Sequence, residues 1–346
     1  MDIIIGLLII AVGAFCQSSC YVPINKIKAW SWESYWLVQG VFAWLVLPFL
    51  GALLAVPAGH SLCELFTESN SFNISMTMLF GLLWGVGGLT FGLSMRYLGV
   101  ALGQSIALGT CAGFGTIMGP VLINIFFPET NALSQLTGSV IAGVIVTLLG
   151  IAIIGYAGKM KSDSQPEEAK AAAVKEFNFP KGIGIALLAG FMSGCFNVGL
   201  EFGKDINFGD LTPDMYKTLP ATMLVTFGGF ITNAVYCLWQ NQHNHTWSDY
   251  GKGAVWGNNL VFCFLAGALW YSQFFGLSLG KGFLKSSPTL MTLSFCILMA
   301  LNIVFSNVWG IILKEWKGCD SKTIACSSWA SSCSSSPASS RSSWDK

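Results

Sequence analysis

Apolar runs long enough to cross a lipid bilayer recur from one end of this chain to the other. Two of them, Leu79–Leu93 and Ser139–Ala157, contain no charged residue at all. A soluble domain covers itself with roughly 25% charged residues. Here only 10% of 346 residues are charged and 53% are hydrophobic, with a mean hydropathy of +0.61. A bilayer is the solvent that suits such a surface. A helix needs roughly 20 apolar residues to span it. On that measure, spans fall near 3–24, 34–57, 72–95, 99–127, 134–156, 181–203, 216–239, 254–279 and 288–313. The runs are continuous, not alternating, and an open sheet cannot satisfy its backbone in lipid, so the expected class is an all-α membrane protein. The first run has the length of a secretory signal, but it is preceded by Asp2 where a signal carries basic residues.

The longest polar stretch, 159–181, includes Ser162, Asp163, Gln165, Pro166, Glu167 and Glu168, and reads as a linker. It divides a first repeat of five spans (1–158) from a second of four (182–325). The halves echo each other. Leu83-Trp84 followed by Phe91-Gly92-Leu93-Ser94 matches Leu269-Trp270 followed by Phe275-Gly276-Leu277-Ser278, in the third span of each half. Gly13 and Lys26 line up with Gly190 and Lys204, and the span at 34–57 with that at 216–239. Because five is odd, the second half must enter the membrane in the opposite orientation. Inverted repeats of this kind rock about a site near the midplane. Twelve Lys and Arg lie in odd-numbered loops, among them Lys26, Lys28, Arg96, Lys159 and Lys252, against four (Lys204, Lys217, Lys281 and Lys285) in even-numbered ones. The excess places the odd loops, including the 159–181 linker, in the cytoplasm and the N-terminus outside.

Repeat symmetry asks for a tenth span, giving a 10-helix transporter. The 21 residues from Cys326 to Lys346 have the right length, but eleven are serine, with Cys326, Cys333, Trp329 and Trp344 among the rest. As written, this composition reads as a disordered tail. A frameshift near Ala325 accounts for the residue types. Apolar codons carry T in second place, and reading them one nucleotide late puts that T first, which yields Ser, Cys, Trp, Phe, Leu and Tyr. A genuine polar tail on a nine-span protein is the alternative.

Several classes of function find no support. A net charge of +1 gives no basis for a nucleic-acid partner. The 11 cysteines are scattered without metal-ligand or disulfide-framework spacing; Cys16 and Cys20 share a helix face as small packing residues. His243 and His245 are too isolated a pair for a metal site. No paired carboxylates and no Gly-x-Ser-x-Gly occur in the spans, which argues against an intramembrane enzyme, and no phosphate-binding loop marks a primary pump.

Residues 1 to about 325 resemble the L-rhamnose–proton symporters of the drug/metabolite transporter superfamily. The matching features are Tyr21-Val22-Pro23 followed by Lys26, Lys28 and Trp30-Ser31-Trp32-Glu33; Met95-Arg96-Tyr97-Leu98-Gly99; Leu269-Trp270-Tyr271 with Gln273-Phe274-Phe275; and Leu313-Lys314-Glu315-Trp316. The resemblance implies ten spans, inverted five-span repeats, and uptake of a deoxy sugar with a proton across a bacterial inner membrane. The proton gradient is then the driving force and no cofactor is required. A drug or metabolite exporter of the same superfamily is the nearest rival, and the tail departs from the family pattern.

Sugar recognition needs an aromatic face for C–H surface and amides or hydroxyls for ring hydroxyls. The eighth span offers both in Trp270, Tyr271, Gln273 and Phe274, and its repeat partner offers Trp84. Trp84 and Trp270 are expected to form opposite walls of one cavity, although Trp and Tyr also serve as interfacial anchors. Gln39 and Asn197 are the amides of most interest; the remaining ones, Asn302 included, read as interhelical hydrogen bonds. Proton coupling calls for a group that titrates inside the membrane. Glu201, after the apolar run Ile183–Leu200, is the candidate, with Lys204 three residues on as a partner on one helix face. A charged cluster at a helix end is the alternative. Arg96 is read as a positive-inside anchor or as part of an inner gate.

Overall fold

The computed structural model describes residues 1–98, 100–163 and 179–312. Most of the 159–181 linker, the stretch Leu313-Lys314-Glu315-Trp316 and the serine-rich segment from Cys326 lie outside these described residues. Helices follow in order: α1 Asp2–Ser19, α2 Tyr21–Ile24, α3 Trp32–Gly40, α4 Leu47–Leu53, α5 Leu62–Glu68, α6 Ser71–Leu98 and α7 Val100–Phe126. They continue with α8 Gly138–Asp163, α9 Phe179–Phe202, α10 Leu219–His243, α11 Gly253–Phe283 and α12 Pro288–Ile312. No strand occurs among the described residues. Among the described residues, eight helical segments are long and apolar enough to cross a membrane, and nine if one bent pair counts as a single span.

Eight of the nine expected spans thus coincide with such a segment. The fifth differs. Its helix begins at Gly138, not near Ser134, because Pro128 and the left-handed Asn131 (φ 48°) interrupt the backbone. The chain bends by 50° between Pro128–Gln135 and Gly138–Ile153. The second span is also irregular: between α3 and α4, Val41–Val46 is π-helical, with Leu47 N–H bonded to Phe42 C=O. Helix α8 runs on to Asp163, past the point where the linker is expected to start, and Lys281 falls inside α11, not in a loop.

Large apolar side chains face outward from the bundle, and amides are buried within its apolar core. Ile4, Leu8 and Val12, each four residues after the last, leave one stripe of α1 exposed. Gln39, Asn197, Asn233, Asn259, Gln273 and Asn302 are all buried. Water would favour the reverse, and a lipid solvent explains it.

With lipid outside, helices associate through close packing at small residues. Helix α1 crosses α11 so closely that a side chain at Gly13 would lie 2.9 Å from Ser272 C=O, and one at Gly6 2.9 Å from Gly280 C=O. Rising numbers on α1 meet falling numbers on α11, so the two are antiparallel. Helix α9 crosses α6 in the same way, with Gly87 against Ser193 and Thr77 donating to Gly199 C=O. Beside α7, α9 runs parallel: Gly190 meets Ala107, and Asn197 donates to Gly115 C=O. The second span is parallel to α11 (Tyr35 near Cys263, Gly51 near Tyr271) and antiparallel to α10 (Ser34 to Asn241, Trp36 to Asn233). Helix α10 is parallel to α6, with Val225 at Gly81 and Gly229 at Gly85. Following these contacts around the bundle, α1 and α9 run in opposite directions.

Candidate substrate site

Three tryptophans meet at the centre, one from each of three elements. Trp84 of α6 and Trp270 of α11 have ring centroids 5.6 Å apart, inclined at 36°. Trp44, from the π-helical turn of the second span, stands edge-on to both, at 6.0 Å and 87° from Trp84 and 5.8 Å and 86° from Trp270. One side of this group is closed by Phe196 of α9, T-shaped to Trp84 at 5.2 Å, and by Phe274, stacked on Phe196 at 3.8 Å. Trp84 and Trp270 nevertheless stay only half-buried. The two rings expected to stand as opposite walls of one cavity are instead in direct contact, with Phe274 at 5.3 Å from Trp270. Tyr271, one residue on, points elsewhere: its hydroxyl packs against Gly51 of α4, buried and without a partner.

The polar candidates divide into those already bonded and those left free. Gln273 is engaged: its Oε1 accepts from Asn302 Nδ2 at 3.0 Å, and its Nε2 donates to Trp270 C=O at 3.2 Å. Ser18 Oγ completes the set by donating to Asn302 C=O at 3.0 Å. Gln39, 2% exposed, and Asn197, 4% exposed, are different. Their side-chain oxygens have no donor, although Asn197 Nδ2 is held by Gly115 C=O at 2.7 Å. Trp44 Nε1 and Asn302 Oδ1 are likewise buried and unpartnered. Buried polar atoms nearly always find a partner, so these amide oxygens and the indole N–H are the polar groups of this region that the protein itself leaves unpaired.

Glu201 closes α9 next to Gly119 of α7, where any side chain would strike its Cγ at 2.6 Å. No ion pair joins it to Lys204. The helix ends at Phe202, which leaves Lys204 in a turn with its N–H on Glu201 C=O, so the single helix face expected for the two is absent. Lys281, near the end of α11, lies within electrostatic range of Glu201. Arg96 lies in α6, and its side chain is outside the described residues.

Elsewhere in the fold, two carboxylates that sequence reasoning did not single out join the loop before α3 to the loop after α10. Asp249, 3% exposed, accepts from Ser31 N–H at 2.7 Å and Ser34 Oγ at 2.9 Å, and pairs with Lys252 at 2.5 Å. Glu33, 5% exposed, accepts from Thr246 Oγ1 at 2.8 Å and Asn244 Nδ2 at 3.0 Å. Lys252 also donates to C=O of Ala29, a residue in the left-handed region at φ 54°. Burial pushes the Asp249 carboxyl up, but the bonds from Lys252, Ser31 and Ser34 outweigh it and hold the group down at about 2. The clasp is therefore ionic at neutral pH. The signal available in advance was slight: Glu33 belongs to the Trp30-Ser31-Trp32-Glu33 motif, but its partners lie about two hundred residues away. Trp44 was equally hidden, since nothing local distinguishes it from an interfacial anchor.

A bundle of lipid-crossing helices with a polar and aromatic centre is the build of a membrane transporter for a small solute. The chain belongs to the L-rhamnose-proton symport protein family, whose model matches residues 1–333 and so ends inside the serine-rich tail. Curated proteins named L-rhamnose-proton symporter, from Yersinia pestis (strain Pestoides F) and Yersinia pseudotuberculosis (serotype O:1b, strain IP 31758), are each 31% identical to it over 335 residues. The match covers 93% of this chain and 92% of each relative. As a member of a transporter family, the chain is a transporter and not an enzyme.

Proposed function

We propose that this chain takes up L-rhamnose, or a closely related deoxy sugar, together with a proton across the bacterial inner membrane by alternating access. The observation that carries the reading is membership of the symport family over nearly the whole chain. The centre of the bundle supplies matching chemistry. Trp84 and Trp270 offer faces to the C–H surface of a pyranose, while Gln39 and Asn197 hold free acceptors for its hydroxyls. Gln273 serves this site as a positioning residue, fixed by Asn302.

Two features support the inverted-repeat part of the proposal. Helices α1 and α9, the first span of each half, run in opposite directions. Each also packs on the third span of the other half, α1 on α11 and α9 on α6. Rocking of such halves is what exposes a central site to one side and then the other. The excess of Lys and Arg in the odd loops puts the Glu33–Asp249 clasp on the cytoplasmic side, where it acts as the closed gate. Glu201 is the proposed proton carrier, with Lys281 as its electrostatic partner in place of Lys204. Protonation of Glu201 removes the charge that acts on Lys281 of α11, and in this reading that ties the proton to a movement between the halves.

The test is uptake of labelled L-rhamnose by cells expressing the full chain, with and without a protonophore. Accumulation that collapses when the proton gradient is removed supports the symport reading. Accumulation indifferent to the protonophore rejects coupling, and no uptake by a correctly inserted chain rejects the substrate.

A further inference from the structure

The sugar reading leaves one central residue without a role. Trp44 is 3% exposed, and its Nε1–H has no acceptor. Buried indoles normally find one. Five residues earlier on the same span, Gln39 Oε1 lacks a donor. An apolar ligand would leave both groups unpaired. A hydroxyl donates and accepts at once, so a polyhydroxy ligand with an apolar face satisfies the pair.

The local backbone is built around this ring. A side chain at Gly40 would meet Trp44 Cε3 and Cζ3 at 2.6 Å, so the indole lies folded back over a position that only glycine leaves open. The π-helical turn Val41–Val46 holds the ring there, and such turns hold one more residue than the α-helix and are frequent at functional sites. Relaxing it to α-helical winding turns the ring by about 100° about the helix axis. The edge-on contacts set Trp44 against both Trp84 and Trp270, as the third corner of one packed cluster that joins rings of the two halves. At the aligned place in the seventh span stands Thr226, bonded to Thr222 C=O at 2.9 Å, so this device is present in one half alone.

We infer that Trp44 is a third, movable wall of the sugar site: its indole N–H donates to an oxygen of the bound sugar, and the π-helical turn is the hinge that withdraws the ring from Trp84 and Trp270. The inference rests on the L-rhamnose reading above and adds a specificity-determining residue to it.

The experiment compares the full wild-type chain with W44F and G40A, using L-rhamnose as the probe in uptake kinetics and in equilibrium binding to purified protein. W44F keeps a ring and loses the donor. It is expected to raise KM and Kd together by about 3- to 10-fold, the loss of one hydrogen bond, with Vmax within about twofold of wild type. G40A adds one methyl beneath the indole, which must shift to make room, while Trp44 itself keeps its N–H, and alanine favours the helix. It is expected to raise KM and to lower Vmax, since both the resting position and the hinge are disturbed. Wild-type KM and Kd in W44F overturn the contact, whatever happens to Vmax. Should W44F fail to insert, wild-type kinetics in G40A overturn it on the same criterion. Wild-type protein that neither binds nor takes up L-rhamnose defeats the substrate reading and this inference with it. Wild-type uptake with unaltered variants defeats this inference alone.

Discussion

At the scale of single residues, the centre of the bundle separates polar side chains that are already engaged, such as Gln273, from those left without a partner, such as Gln39. Trp270→Ala removes a ring face and is expected to raise the KM for L-rhamnose by roughly tenfold or more, with the unliganded protein still melting cooperatively; stacking faces of this kind contribute about 0.5–1.5 kcal/mol beyond the area they cover. Gln273→Ala acts differently, because it strands the buried amide of Asn302. Its first effect is a loss of about 1–3 kcal/mol of stability, visible as a lower melting temperature in detergent. A Gln273→Ala protein with wild-type stability but weakened binding returns Gln273 to the role of direct sugar ligand. Asp249 gives a prediction in pH. Its carboxyl titrates at about 2 in the fold against an ordinary 3.8, so the stability it contributes is present above the ordinary value and is lost as pH falls through 2. The melting-temperature difference between wild type and Asp249→Asn should therefore stay flat from pH 5 to 8 and shrink below about pH 4. A difference that varies between pH 6 and 8 would assign the titration to another group. Trp84 and Trp270 were legible as a pair because they recur at matching ranks of the two halves, and Phe274 by its place beside Trp270 in the same span; Trp44 was not, since an aromatic ring in an apolar run looks the same whether it faces lipid or the core.

Elements meet through their smallest residues. Gly13 on α1 abuts the Ser272–Gln273 backbone of α11, and Gly276 abuts Ile9 C=O. Gly13→Leu must separate two helices that position Trp270 and Gln273, and overpacking of this kind costs about 1–3 kcal/mol. The variant should insert yet melt earlier and lose uptake, measured by thermal shift in detergent and by labelled sugar in cells. Val12→Leu, next to it in sequence but exposed to lipid, should be neutral in both. Unchanged stability in Gly13→Leu would mean that the close crossing is not needed. Span positions were readable along the chain, for hydropathy adds up residue by residue. The interruptions were not: the bend after Pro128 and Asn131, and the π-helical turn at Val41–Val46, arise from how an element fits its neighbours.

For the whole molecule, coupling is the property to test. In Glu201→Gln, the charge that Lys281 feels is gone permanently, so sugar-driven alkalinisation of the medium should fall by at least about tenfold while exchange of internal for external sugar continues; each 1.4 kcal/mol of lost coupling is a factor of ten. Alkalinisation at the wild-type rate would remove Glu201 from the proton path. The tail offers a second test at this scale. Replacing Cys326–Lys346 by an apolar helix should raise uptake if a tenth span belongs there, and the alternative reading frame of the gene should encode such a stretch. By itself the sequence determined the solvent, the all-helical class, the approximate places of nine spans and the family, because burial in lipid is a property of each segment's own composition. Only the tertiary structure decided which polar groups are consumed and which stay free. Gln273 goes to Asn302, while Gln39 Oε1, Asn197 Oδ1 and Trp44 Nε1 have no hydrogen-bond partner in the protein, and Lys281 on another helix lies within electrostatic range of Glu201. Such pairings depend on the rotation and crossing of helices far apart in the chain, set by where glycines let backbones touch, and no local pattern carries that information.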